Sequence, residues 1–182
     1  FISAAVHGDE LNGIEIIRRL LTMKSFRLSK GTIIAVPIVN VYGMLNQSRY
    51  MPDRRDLNRS FPGSAKGSLT GRLAHLFLSE IVSKCQYGID LHTGAIHRSN
   101  LPQIRVDIDN EQALAMAKAF GSPVILNSKE RDGSLRALAN SLGIAANIEF
   151  PMPSRFFWQV QRTLQPDLAD ESVFSKDTLS WL

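Results

Sequence analysis

His7 and Glu10 stand three residues apart in AAVHGDELNG, residues 4–13, where a run of small and apolar residues gives way to a helical pattern. An imidazole and a carboxylate on a turn leaving a strand can converge on one point. His92, in GIDLHTG, closes a second apolar segment far along the chain. Two histidines and one carboxylate form a ligand set for catalytic zinc, with the fourth position left open for water. Gly8, between the first two, is expected to let the backbone turn sharply. The competing reading is a polar turn that contains Asp9 and hydrogen-bonded structural histidines, because an isolated H-x-x-E pair is a weak signal.

Three further groups could act beside such a centre. The stretch SRYMPDRRDLNRSFPG, 48–63, carries Arg49, Arg54, Arg55 and Arg59 with Asp53, Asp56 and Asn58. A solvated charged loop is the plain reading. Asn58 next to Arg59 is also a good pair for gripping a carboxylate, since a guanidinium binds it through two donors and the amide adds another. Glu149 follows IAANI at the end of an apolar segment. Alone it reads as a surface carboxylate. Near a zinc-bound water it reads as a general base, its pKa raised by burial. His97, Arg98 and Arg105 follow His92 and are candidates for substrate contact. His75 reads as structural or surface, and Cys85 as a small buried side chain, with no base beside it to activate a thiol.

These residues need a scaffold that brings distant segments together. Residues 1–6 read as a buried strand. Leu11, Ile14, Ile17, Leu20 and Leu21 mark a helix over 11–23. TIIAVPIV, 32–39, reads as a second strand. Residues 40–67 form a long polar loop, a length that is often functional. A helix over 68–84 has Ser68 as its N-cap. Strands follow at 87–91, 102–108, 123–127 and 144–150, and helices at 110–120 and 134–142, the last stopped by Gly143. This alternation predicts an α/β fold: a mostly parallel or mixed central sheet with helices on both faces. Such sheets hold ligands at the carboxyl ends of their strands, where His7, His92 and Glu149 fall.

With 182 residues, 44% of them hydrophobic and 21% charged, the chain can bury a substantial core. Its net charge of +4 comes from scattered residues, not a basic block, which argues against nucleic-acid binding. No apolar run is long enough to span a membrane. One cysteine excludes an intrachain disulfide and fits a reducing, cytoplasmic setting. The chain starts at Phe1, within an apolar segment, so an N-terminal piece is expected to be missing. The oligomeric state is not legible.

HGDE, RDLNRSFPG and DLHTG, in this order, resemble the succinylglutamate desuccinylase and aspartoacylase family, zinc enzymes related to the metallocarboxypeptidases. The resemblance covers about residues 1–150 and implies a phosphorylase/hydrolase-like, zinc carboxypeptidase-like domain. It implies one Zn2+ per chain on His7, Glu10 and His92. It implies Asn58 and Arg59 as the substrate-carboxylate clamp, and Arg49 as the arginine that polarises the scissile carbonyl, with Arg54 and Arg55 as alternatives. Asp56 would orient His7 from behind, a role usual for carboxylates around metal-bound histidines; Asp90, close to His92 in sequence, is a further candidate for such a role. DGSLRALANSLGIAANIEF matches the family's layout before its catalytic glutamate and implies that role for Glu149. The family then continues E-x-G, whereas here Phe150 and Pro151 follow. Residues 151–182 are read as a divergent C-terminal tail in place of the family's small β-rich domain, with SRFFWQVQRTL, 154–164, as an amphipathic helix presenting Phe157, Val160 and Leu164. The resulting expectation is a zinc-dependent amidohydrolase acting on an N-acyl amino acid or a similar small amide. The alternatives are a zinc carboxypeptidase and an inactive metal-binding member.

Overall fold

A computed structural model describes residues 1–95, 98 and 100–150, the last four as backbone. His97 and the expected 154–164 helix lie outside the described residues. Six strands form one sheet: β1 (Ile2–Ala4), β2 (Ala35–Val36), β3 (Tyr87–Leu91), β4 (Gln103–Val106), β5 (Ile125–Asn127) and β6 (Ala145–Phe150). Their order is β2-β1-β3-β6-β4-β5. All pairs are parallel except β4 with β6, so the sheet is mixed.

Side chains alternate across this sheet. Ile2, Ala4, Ile89, Leu91 and Ala145 pack with α1 (Asn12–Thr22) and α4 (Glu111–Phe120) on one face. Ala146 belongs to the opposite core, with Ala74 and Phe77 of α3 (Leu69–Glu80) and Leu135 and Ala139 of α5 (Leu135–Ser141). Neighbours such as Ala145 and Ala146 thus face opposite layers, as a period of two requires. Among the described residues, no helix is long and apolar enough to cross a membrane.

The α1 face differs slightly from the expected one. Gly13, Ile16, Ile17 and Leu20 are buried, whereas Leu21 is 53% exposed. The helix sits close to the sheet at Gly13, where an added Cβ would lie 2.7 Å from that of Ala4 and 2.9 Å from that of Leu91. This approach rotates Ile16 inward and Leu21 outward. It also draws α1 against the strands that carry His7 and His92.

The expected strand over 32–39 pairs only at Ala35–Val36. Pro37 has no N–H to continue the ladder. The chain still follows β1, since Val39 and Asn40 donate their backbone N–H to the Ala4 and Ala5 carbonyls at 3.0 and 2.9 Å. The long segment beyond is more ordered than a loop. It holds α2 (Val41–Leu45), capped by the Asn40 side chain, and a 3-10 turn at Leu57–Arg59, capped by the Asp56 side chain. The Phe61–Pro62 peptide is cis. The segment expected to be one helix over 68–84 ends α3 at Glu80 and continues as a separate 3-10 turn, Val82–Lys84; Ser68 caps α3 through Gly71 N–H.

The backbone does turn at Gly8 as expected, closed by Glu10 N–H on the His7 carbonyl, although the φ of Gly8 is not positive. Its lack of a side chain serves a different purpose: a Cβ there would run into the Gly43 carbonyl of α2. Cys85, expected to be buried, is only partly so.

Candidate functional site

His7 lies just beyond β1, and His92 directly follows β3, which pairs with β1 in parallel. Parallel neighbours bring both histidines to the carboxyl edge of the sheet. The turn after His7 carries Glu10 back under them, with Glu10 N–H donating to the His7 carbonyl at 3.2 Å. All three side chains are buried. Glu10 Oε1 lies 2.9 Å from His7 Nδ1, and Glu10 Oε2 lies 2.9 Å from His92 Nδ1. Thr93 N–H also donates to Oε2 at 2.9 Å. One ligand atom from each of the three residues lies within 4.8 Å of the others, which is a metal-sized group of donors. Asp9, next to Glu10 in sequence, is not part of it.

The far nitrogen of each imidazole meets another carboxylate. His7 Nε2 is 3.1 Å from Asp56 Oδ1, and His92 Nε2 is 2.8 Å from Asp90 Oδ2. Asp90 is fixed in turn by the Ser3 hydroxyl at 2.8 Å. Arg49 donates Nε and Nη2 to Asp56 Oδ2 at 3.1 and 2.9 Å, and its Nη1 lies 3.6 Å from Glu10 Oε1.

This donor set fits a divalent cation. Each Nδ1 points toward the same carboxylate, and each Nε2 has a carboxylate that fixes the ring and its tautomer, the usual support for a metal-bound histidine. With neutral imidazoles, the charges of Glu10, Asp56 and Asp90 are balanced by Arg49 together with a divalent ion. Burial opposes the charged form of His92, but Asp90 and Glu10 push it up to about 10. Burial works upward on Glu10, yet hydrogen bonds and charge from His7 and His92 hold it far below the usual carboxylate range. Asp56 follows the same pattern: burial raises it, and His7 and Arg49 outweigh that.

The cluster opens into a cavity of about 330 Å³, whose described lining includes Arg49, Arg59, Arg98, Arg105, Arg131 and Arg136. Glu10 is the one carboxylate among its described lining residues. The cavity is therefore suited to anions. Arg54 and Arg55 do not line it; both are exposed, and Arg54 has a φ of +61°.

Asn58 is buried, and its Oδ1 accepts the Leu135 N–H at 2.9 Å. Phe61 N–H donates to the Gly133 carbonyl at 3.0 Å. The turn bearing Asn58 and Arg59 is thereby joined to the start of α5. Arg59 itself is exposed, lines the cavity and donates Nη1 to the Asn58 carbonyl.

Glu149 pairs in register with Leu91, the residue before His92, and with Ile104 on the other side. Its backbone is thus beside the cluster. Arg98 and Arg105 join the lining, as does Thr93; His75 lies on α3, outside it. Ser128, Arg131, Ser134 and Arg136 were not singled out from sequence. A signal existed for Arg136, which occupies the inward face of α5 one turn before Ala139.

A mixed sheet with helices on both faces, and a two-histidine, one-glutamate cluster at its carboxyl edge, defines an α/β domain of the zinc carboxypeptidase-like class. Residues 1–150 match the profile of the succinylglutamate desuccinylase/aspartoacylase catalytic domain. The chain belongs to that family. It is 35% identical over 132 residues to the N-alpha-acetyl-L-2,4-diaminobutyric acid deacetylase of Halomonas elongata, which covers 69% of this chain and 39% of that enzyme. It superposes on an aspartoacylase family protein from Mesorhizobium loti with a TM-score of 0.80 and 28% identity, covering 90% of this chain and 55% of the other. The product-bound ectoine utilization protein EutE from Ruegeria pomeroyi gives a TM-score of 0.79 and 26% identity, over 91% and 55% of the two chains. The chain thus spans roughly half or less of the length of these relatives.

A second profile, the RecC N-terminal domain, matches residues 120–182. A 44-residue stretch is 43% identical to the RecC subunit of the Escherichia coli RecBCD enzyme, covering 24% of this chain and 4% of that subunit. Residues 151–182, where the family's sequence pattern stops, fall within this second match.

Proposed function

We propose that the cavity is the active site of a zinc-dependent hydrolase that cleaves the amide bond of an N-acyl amino acid or a similar small carboxylate-bearing amide. The observation that carries this reading is the His7–Glu10–His92 cluster, each imidazole backed by its own carboxylate, at the end of an arginine-lined cavity. The family membership and the named deacetylase relative support the same class of reaction.

In this reading His7, Glu10 and His92 hold the metal. A zinc ion held there would supply polarisation of an acyl carbonyl and acidification of a water molecule. Glu149, whose backbone is in register with Leu91, accepts the proton of the attacking water and delivers it to the leaving amine. Arg49 is already oriented by Asp56 and donates toward the carbonyl oxygen as negative charge develops there. Asn58 and Arg59 hold the substrate carboxylate. Asp56 and Asp90 keep the two imidazoles in place.

The test is elemental analysis followed by a panel of N-acyl amino acids and short peptides, run on the wild type and on Glu149→Gln. The expected result is one zinc per chain in both proteins, amide turnover by the wild type and loss of turnover in the variant. The amide keeps the shape of the carboxyl group and cannot take the proton. A variant with wild-type kcat would remove Glu149 from this role. Turnover of peptides alone would make the enzyme a carboxypeptidase.

A further inference from the structure

Residues 2–6, β1 and the two that follow it, are all buried, and Ser3 is the one polar side chain among them. A hydroxyl placed there is costly unless it is hydrogen-bonded. Ser3 lies opposite Asp90 in the parallel register of β1 and β3. Its Oγ donates to Asp90 Oδ1 at 2.8 Å, and the other oxygen, Oδ2, is the one 2.8 Å from His92 Nε2. Ser3 is 0% exposed, and Asp90 and His92 are 3% exposed. The His7 side is built differently. There Asp56 Oδ2 is held by Arg49, which is only partly buried and lines the cavity. One carboxylate is thus held by a guanidinium that the proposed reaction also uses, and the other by a hydroxyl sealed within the sheet.

We propose that Ser3 is a positioning residue for the metal centre: by holding Asp90 Oδ1 it leaves Oδ2 to fix His92 in the tautomer that turns Nδ1 toward the metal. The proposal rests on His7, Glu10 and His92 being a zinc site. A carboxylate without the hydroxyl could present either oxygen to the imidazole, in more than one plane. With Oδ1 tied to Ser3, the placement of Oδ2 is set by the pairing of β1 with β3. An ionised carboxylate has no proton to give. The Nε2 of a neutral His92 is therefore the N–H donor, and Nδ1 is left as the ligand nitrogen. Partners of this kind orient the ring and raise the basicity of the ligand. Ser3 also sits on the strand that leads to His7, so the strand that delivers one histidine sets the tautomer of the other.

The test is zinc affinity, measured on the full chain by competition against a chelator of known affinity, in a double-mutant cycle of Ser3→Ala and Asp90→Ala. The readout does not depend on turnover. Ser3→Ala alone should weaken zinc binding at least about fivefold, and Asp90→Ala roughly 10- to 100-fold. In the Asp90→Ala background, Ser3→Ala should change the affinity by less than about twofold, because the carboxylate it acts through is gone. A hydroxyl that only stabilises the sheet would lower Tm and leave zinc affinity unchanged, or weaken it equally in both backgrounds; either result overturns the proposal. A second readout is the His92 Nε2 proton of the zinc-loaded protein, followed by NMR. It should exchange slowly with solvent in the wild type and faster in Ser3→Ala, and equal exchange in the two overturns the proposal. If Ser3→Ala does not fold, Ser3→Cys, close in size but a weak donor, takes its place. If Asp90→Ala does not fold, the exchange of the Nε2 proton decides alone. Zinc that is lost from His7→Ala but held equally by the wild type and Ser3→Ala sinks this proposal and leaves the metal reading standing. A wild type that binds no zinc sinks the metal reading, and the proposal with it.

Discussion

The rings of His7 and His92 meet edge to face, with centroids 4.9 Å apart, and their Nδ1 atoms address opposite oxygens of the same Glu10 carboxylate. The two histidines come from segments eighty-five positions apart in the chain, yet their geometry is set by parallel pairing of β1 with β3. The centre is therefore built by the sheet and not by a flexible loop, and its weaknesses should be those of the sheet and of the ligands themselves.

His7→Ala and His92→Ala should each lose most of the bound metal, because a three-ligand site cannot spare one. Asp90→Asn should keep the metal but bind it roughly 10- to 100-fold more weakly, since the carboxylate that fixes His92 Nε2 becomes a neutral amide. Competition against a chelator of known affinity measures all three. Full retention of zinc in both histidine variants would remove this cluster as the metal centre.

Arg59→Lys keeps the charge and loses the planar fork of donors. It should lower kcat/KM for a carboxylate substrate by roughly ten- to a hundredfold, the equivalent of about 1.5–3 kcal/mol for a charge-assisted hydrogen bond. The methyl ester of the same substrate should be poor with the wild type and almost indifferent to the substitution. Equal sensitivity of acid and ester would make Arg59 structural.

Gly133→Ala should disturb the join between the Asn58–Arg59 turn and α5. Gly133 has a φ of +72°, and an added Cβ would sit 2.5 Å from the Arg59 carbonyl oxygen. Overpacking of this kind costs about 1–3 kcal/mol, and each kcal/mol lowers Tm by about 2–4 °C in a chain of this size. The fall in Tm should be accompanied by a higher KM for carboxylate substrates. An unchanged melting curve would show that the turn moves aside freely.

The sequence carried the candidate centre well because its signals are local. His7, Glu10 and His92 are metal-binding types at the ends of apolar segments, and Ser68 marks the start of α3 where its hydroxyl takes the Gly71 N–H. The sheet order was not legible. Alternating strands and helices predict a mostly parallel or mixed sheet, but not which pair is antiparallel: residues 92–102 hold no helix among those described, and β4 runs against β6. Nor could spacing show that Pro37 cuts the second strand to two residues, or that Gly8 makes room for α2. Arg136 carried only a faint signal, its place on the inward face of α5. On a short helix an inward arginine looks like any charge in an amphipathic pattern, and only the three-dimensional surroundings reveal that two of its nitrogens lack partners.

The position of β6 also sets an order of events during synthesis. It is the sixth strand made, yet it lies between β3 and β4. Before residues 145–150 leave the ribosome, the β2-β1-β3 group and the β4-β5 pair have no strand to join them. Both histidines and Glu10 are made long before, in the segments that leave β1 and β3, and these two strands can pair without β6. A nascent chain can thus bring the His7–Glu10–His92 cluster together while the β3 edge is still bare, and the same strand that covers this edge brings Glu149 beside Leu91. Assembly of the candidate centre can precede sheet closure, whereas the proposed chemistry has to wait for it.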